Sequence, residues 1–426
     1  MVINSPWYYR FVIAFAKPLY RLSLARKRAK LPYYEREINE RFGYHYLPAP
    51  TGARGVIWCH AVSLGELNTA YPLLKMLLDS GFGLWITSTT QTGFARADKL
   101  FGDELGGRVQ HSFVPVDDVG VVRRFLSHTS FKMAIFIETE LWANTLYLLA
   151  KNNIPSVLVN ARLTQSSFVS YQKFSRLSRA MMTNLSYIIA QDDSSRDNFI
   201  ALGARADKVG RAYSLKWCTQ ARHDLPIYHE MQTWHIKNRP IWVMASTHAG
   251  EEALALDVHQ KLLADSENAL LILVPRHPER FEEVATLCKG FICHRRSCDE
   301  AIFGDTQVYL ADSMGELLAW YGICQVAVVG GSFVDKGGHN PIEPASVGTP
   351  VVMGRYVKNC TDIVSDLMAV GGLIQTDDEG LYEVVKAWLT DPESAGVAGE
   401  SAKALTKQRA NADKEQFELL MAVLKV

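Results

Sequence analysis

Short apolar runs recur along the chain, each followed by a stretch whose apolar positions return every three or four residues. In the first half the runs are GVIWCH, GLWITSTT, MAIFIETE, SVLVNA and YIIAQ; in the second they are IWVMAS, ALLILVP, QVAVVGG, PVVMG and GLIQ. An unbroken apolar run is buried on both faces, and such strands alternating with helices form parallel sheets covered on each side. The pattern predicts an α/β protein with two doubly wound domains facing a cleft. Between the two sets, KWCTQARHDLPIYHEMQTWHIKNRP is polar and mixed and reads as a linker. The expected divisions are an N-terminal segment over 1–50, a first domain over 51–215, a linker over 216–239 and a second domain over 240–405. A C-terminal helix over 406–426 would return to the first domain.

A chain of 426 residues is long enough for two cores. Its 45 basic residues balance 45 acidic ones, so no bulk field recruits nucleic acid. The balance fails locally. Arg10, Lys17, Arg21, Arg26, Lys27, Arg28 and Lys30 all precede the first acid, Glu35, and lie in or just after the aromatic stretch WYYRFVIAFAKPLYRL. A membrane span needs about 20 mostly apolar residues; with Arg10, Lys17 and Pro18 interrupting, this segment reads as interfacial. Aromatics beside basic residues suit an anionic membrane surface. An amphipathic helix docked on its own domain is the other reading. The order of charge and apolar residues is the reverse of a signal peptide.

Seven cysteines without an export signal are expected to be reduced thiols in the cytoplasm. Cys288, Cys293, Cys298 and His294 lack zinc-site spacing, and Arg295 and Arg296 would add charge beside a cation, so no metal site is assigned.

Doubly wound sheets bind ligands outside the carboxyl ends of their strands. The residues there are Glu66 after the first run, Glu138 and Glu140 after MAIFI, and Arg162 after SVLVN. The second half offers Thr247 and His248, Arg276 and His277, and the loop GGSFVDKGGHNPIEP. Neither half has GxGxxG after its first strand, and GxxxxGK[ST] is absent, which disfavours a dinucleotide dehydrogenase and a P-loop enzyme. Ser63 to Glu66 reads as a capping box, but that register leaves Pro72 inside the helix. With Thr69 as the cap, Pro72 would fall in the first turn and Glu66 in the loop. Glu138 and Glu140 would share one face of a strand, and acids so placed need solvent, a salt partner or a ligand. In the second half, a helix is expected to begin at Gly315 and Glu316, with Ser313 and Met314 before it. Asn340 is expected as a cap, with Pro341 at N1 and Glu343 in the first turn. Loops of this kind hold anions on backbone N–H groups, and three on one sheet read as a nucleotide site.

The runs CHAVSLGE, IETELWANT, VNARL, STHAGEE, LVPRHPERF, SMGELLAWYG and GGSFVDKGGHNPIE occur in an order that resembles the 3-deoxy-D-manno-octulosonic acid (Kdo) transferases of lipopolysaccharide inner-core synthesis. The resemblance covers nearly the whole chain. It implies a GT-B glycosyltransferase fold of two Rossmann-like domains, with CMP-Kdo held mainly by the C-terminal one and a lipid A precursor by the N-terminal one. It also implies inverting transfer without a cofactor or a protein-bound metal, at the cytoplasmic side of the inner membrane. Glu66 matches the family's catalytic base, and Glu138 and Lys216 match residues assigned to the transition state. Pro275 and Arg276, then Met314, Gly315 and Glu316, then Asn340, Pro341, Ile342 and Glu343 match CMP-binding segments. The chain departs from the pattern at Ala143, where proline is usual, at Pro344, where a small residue is usual, and around Lys216, where only the core SLK is kept.

Overall fold

The computed structural model describes residues 2–218, 226–266 and 268–425; residues 219–225, within the expected linker, lie outside the described residues. The chain divides into two compact units, one of Met1–Cys218 with Asn411–Val426 and one of Thr219–Ala410.

The first unit is built on seven parallel strands: β1 Val56–His60, β2 Gly83–Ser88, β3 Val109–Phe113, β4 Phe131–Ile137, β5 Ser156–Ala161, β6 Tyr187–Ala190 and β7 Val209–Arg211. Their order is β3-β2-β1-β4-β5-β6-β7, so the winding reverses between β1 and β4. One face of β1 buries Ile57 and Cys59 against Leu67, Ala70, Leu73, Leu74, Leu77 and Leu78 of the helix Leu64–Asp79. These fall at the three- and four-residue spacing of a helical stripe. The other face packs Trp58 among Phe125, Phe131 and Phe136, the first and last edge to face. The terminal helix Ala412–Lys425 adds Leu420 to the first core.

The second unit repeats the plan with β8 Ile241–Thr247, β9 Leu270–Pro275, β10 Cys293–Arg295, β11 Val308–Leu310, β12 Val326–Val329, β13 Val351–Met353 and β14 Leu373–Gln375. The order β10-β11-β9-β8-β12-β13-β14 reverses between β8 and β12. Trp234, Tyr309 and Trp320 fill one face of this sheet.

Several local expectations change. Ser63 is the cap of the helix Leu64–Asp79, and Pro72 does lie inside it. The carbonyl of Asn68 thereby loses a helical donor, but Asn68 is exposed and water can serve it. Strand β4 stops at Ile137, and Glu138 takes a left-handed turn at φ 60°, so Glu138 and Glu140 stand on a loop rather than on one strand face. The helix expected at Gly315 begins instead at Leu317, behind Glu316 as cap and Gly315 at φ 92°. The last of these helices spans Ile342–Val347, so Pro341 sits at the cap position while the Asn340 side chain accepts from Ile342 N at 3.1 Å. Pro344 is then the third helical residue, where a missing N–H costs nothing.

The N-terminal helix Trp7–Arg26 is docked on the first unit by its polar residues. Tyr9 donates to Asp117 at 2.7 Å, Lys17 pairs with Asp118 at 3.1 Å, and Arg10 and Arg21 lie over Tyr147 and Phe42. Leu24 is its one buried residue, while Trp7, Phe11 and Phe15, each four apart, are 79%, 66% and 68% exposed. This is the reverse of an ordinary surface helix. No helix among the described residues is long and apolar enough to cross a membrane.

Candidate active site

At the carboxyl edge of the first sheet, Glu66 follows β1 and Glu138 and Glu140 follow β4, the two strands between which the winding reverses. The Ser63 hydroxyl accepts from Glu66 N at 3.4 Å, and Glu66 Oε2 accepts from Val62 N at 2.8 Å. Among the described residues its other oxygen has only the long 3.3 Å contact from the Ser63 hydroxyl. Burial pushes the Glu66 carboxyl up to about 7. The Val62 N–H opposes that rise, and the charges of Glu138 and Glu140 reinforce it. Glu140 is raised as well, by burial first, against the Trp142 indole N–H and with Glu138 adding to it. Three acids expected from two motifs, Glu66 from one and Glu138 and Glu140 from the other, thus share one electrostatic neighbourhood. Both contacts tie the carboxylate to its own turn, Oε2 through Val62 N and Oε1 more weakly through the Ser63 hydroxyl.

Lys216 lies on the short 3-10 turn Leu215–Cys218 of the same unit. Asn160, at φ 49° near the end of β5, accepts from Leu215 N at 2.9 Å. The buried Gln416 of the terminal helix joins Asn160 N to the Tyr213 carbonyl, both at 2.9 Å. The lysine's backbone is therefore fixed from β5 and from the last helix together, a dependence the core SLK alone does not reveal.

In the second unit the winding reverses between β8 and β12, and bases gather there. His248 follows β8, Arg276 and His277 follow Pro275 at the end of β9, and Lys336 and His339 lie on the glycine loop after β12. Glu343 is pushed up by burial, with Asn340 and the Arg276 charge opposing. Met314 is exposed, and Glu316 is held by both Arg296 and Ser313, with Arg296 also on Glu230. Arg295 and Arg296, read from sequence as repelling a cation, serve in ion pairs with Asp312 and Glu316.

Glu251 and Glu252 escaped sequence reasoning. Both are buried at the start of the helix Glu251–Asp265. Glu251 accepts from His248 N at 2.9 Å, Gly331 N at 2.8 Å and Phe333 N at 3.0 Å, which ties the β8 loop to the β12 loop. Glu252 receives Thr247 Oγ1 at 2.7 Å and pairs with Arg280. The signal was present in the doubled acid of STHAGEE directly behind a strand, where a buried carboxylate must find donors.

The family profile described as 3-Deoxy-D-manno-octulosonic-acid transferase (kdotransferase) matches residues 36–219. A 3-deoxy-D-manno-octulosonic acid transferase of Haemophilus influenzae is 36% identical over 98% of this chain and 98% of its own length. The chain belongs to the Kdo transferase family. It is therefore a glycosyltransferase of lipopolysaccharide core synthesis. A Bordetella pertussis protein of the same description is 33% identical, covering 89% of this chain and 90% of that one. Among solved structures, a UDP-GlcNAc 2-epimerase from Neisseria meningitidis bound to UDP-GlcNAc matches with a TM-score of 0.60 at 13% identity. It covers 86% of this chain and 100% of that chain. MurG from Acinetobacter baumannii matches at 0.55 and 11% identity, over 86% and 99%. Identities this low speak to fold alone, and the fold is the α/β GT-B type that the family resemblance implies.

Proposed function

We propose that the protein moves Kdo from CMP-Kdo to a hydroxyl of a lipid A precursor with inversion at the anomeric carbon, Glu66 acting as general base. The acceptor oxygen forms its bond to the anomeric carbon as the bond to the cytidylate oxygen breaks. CMP departs with the electron pair, and the acceptor's proton passes to Glu66. The supporting observation is the position of Glu66: half-buried at the reversal point of its sheet, beside two further acids, with its carboxyl raised to about 7. A base contributes most when its pKa lies near the working pH, by about 10²–10⁴-fold.

Glu138 stabilises positive charge developing at the sugar, and Lys216 and Arg276 balance the charge of the leaving phosphate. Pro275 to Arg276, Met314 to Glu316 and Asn340 to Glu343 form the donor's nucleotide site. Because Arg296 already holds the Glu316 carboxylate, we assign that segment's contribution to the turn at Gly315 rather than to a free acid.

The acceptor stays in the bilayer, and the N-terminal helix meets it there, at the cytoplasmic face of the inner membrane. Its outward aromatics insert at the interface while Lys and Arg nearby add attraction of about 1 kcal/mol each near anionic lipid. The helix lies on the membrane rather than through it.

Incubating the purified protein with CMP-Kdo and a lipid A precursor, then weighing the lipid, tests this reading. A mass increase by whole Kdo residues is expected. Turnover of UDP-sugars in place of CMP-Kdo would overturn it.

A further inference from the structure

The nucleotide site leaves a set of bases without a task. His248 and His339 meet Nε2 to Nε2 at 2.9 Å, their rings within 6° of parallel, and His277 stands edge-on to His248 with centroids 5.2 Å apart. A hydrogen bond between two imidazole nitrogens needs one donor and one acceptor, so the pair holds a single proton on that line. The placement is built rather than incidental. His339 N donates to the Gly330 carbonyl at 3.1 Å, and Glu251 fixes both His248 N and Gly331 N. A Cβ on Gly331 would come within 2.9 Å of His339 Cδ2, so the glycine is what lets the imidazole lie where it does.

Glycine-loop N–H groups behind a strand are the usual cradle for a phosphate. Here two of those donors, Gly331 N and Phe333 N, are already spent on the buried Glu251 carboxylate, together with His248 N from the loop after β8. Beside those spent donors stand side chains that can face a ligand: the imidazole pair, with Lys336 and Arg276 in its electrostatic neighbourhood. Neither Lys336 nor Arg276 has a carboxylate within ion-pair distance among the described residues.

We propose that His248 and His339, flanked by Lys336 and Arg276, form the subsite that grips the carboxylate of the donor's ulosonic acid. The inference rests on CMP-Kdo as donor. The carboxylate distinguishes this sugar from the neutral sugars of other nucleotide donors, and it leaves with the product lipid. The subsite therefore favours intact donor over spent CMP, which helps the nucleotide depart after transfer. Burial first, then the charges of Arg276, Lys336 and Arg280, lower the proton affinity of the free pair, with the Glu252 charge opposing and the Glu251 carboxylate close by on His248 N. An arriving carboxylate raises its proton affinity, so donor binding tightens as pH falls.

His339→Gln and His248→Gln test the assignment, with KM for CMP-Kdo and the inhibition constant of CMP measured side by side. Each variant is expected to raise donor KM about tenfold while CMP inhibition stays within about twofold. Wild-type donor KM is expected to fall between pH 8 and pH 6, a trend absent from His339→Gln. Gly331→Ala, which displaces the His339 ring, is expected to reproduce the donor-only defect. Equal losses for CMP-Kdo and CMP would place the pair on the phosphate and overturn the proposal, as would unchanged KM in both histidine variants. A wild-type protein that does not turn over CMP-Kdo would instead refute the donor itself.

Discussion

The two units share one sheet plan and differ in charge where it matters. Each sheet has seven parallel strands and one reversal, between β1 and β4 in the first and between β8 and β12 in the second. At the first reversal stand Glu66, Glu138 and Glu140, two of them raised by burial. At the second stand His248, His339, Arg276 and Lys336, while Glu251 and Glu252 there are satisfied by N–H groups and an arginine. A fold therefore supplies the place and the side chains supply the chemistry. An edge of partly desolvated acids can accept a proton; an edge of bases with no carboxylate in ion-pair contact among the described residues can hold a two-anion donor.

The contrast breaks most directly at Glu66. Glu66→Gln is expected to reduce transfer by about 10²–10⁴-fold with CMP affinity nearly unchanged, as read by initial rates and by CMP titration. The reciprocal change, Arg276→Ala, is expected to weaken donor binding by roughly ten- to a hundredfold and to leave saturated turnover much less affected. Near-equal effects on both quantities in both variants would erase the division of labour. A smaller effect is expected when Trp7, Phe11 and Phe15 are changed together to serine. Partitioning to anionic vesicles should drop by about tenfold or more, while turnover of a water-soluble acceptor fragment persists.

The smallest effect concerns stability. The folded Glu66 carboxyl is raised from 4.5 to about 7, so the native state binds more protons than the unfolded chain between those values. Stability contributed at this site is present below the unfolded value and is lost as pH rises towards 7. Glu66→Gln removes that dependence, so its melting temperature should exceed that of the wild type at pH 8, and the difference should shrink by pH 4.5. A difference that does not vary with pH would mean the carboxyl is not perturbed.

Much of this was legible from residue order. The apolar runs marked five of the seven strands in each sheet, because a parallel strand buried on both faces usually leaves a continuous signature; β3, polar in sequence though buried, and the three-residue strands β7, β10 and β11 leave none. The acids and bases after those runs marked the edges, because the carboxyl ends of strands are where such sheets meet ligands. Local register was harder. Pro72 argued against Ser63 as a cap, yet packing of six apolar residues on that helix outweighs one missing hydrogen bond. Glu138 alternated like a strand residue but turns left-handed, which no pattern of hydrophobicity reports. The role of Glu251 required N–H groups of Gly331 and Phe333, about 80 residues on, to converge with that of nearby His248, and the clamp on the Lys216 turn required Asn160 and Gln416, 256 residues apart. Those depend on tertiary contact, not on neighbours in the chain.

The protonation of Glu66 is the decisive quantity. Carboxyl-carbon NMR titration of the unliganded protein, with the Glu66 signal assigned by its loss in Glu66→Gln, measures it directly. A midpoint near 7, falling when Glu138 and Glu140 are both changed to glutamine, is the expected result. A midpoint at the ordinary glutamate value, indifferent to those two acids, would contradict it.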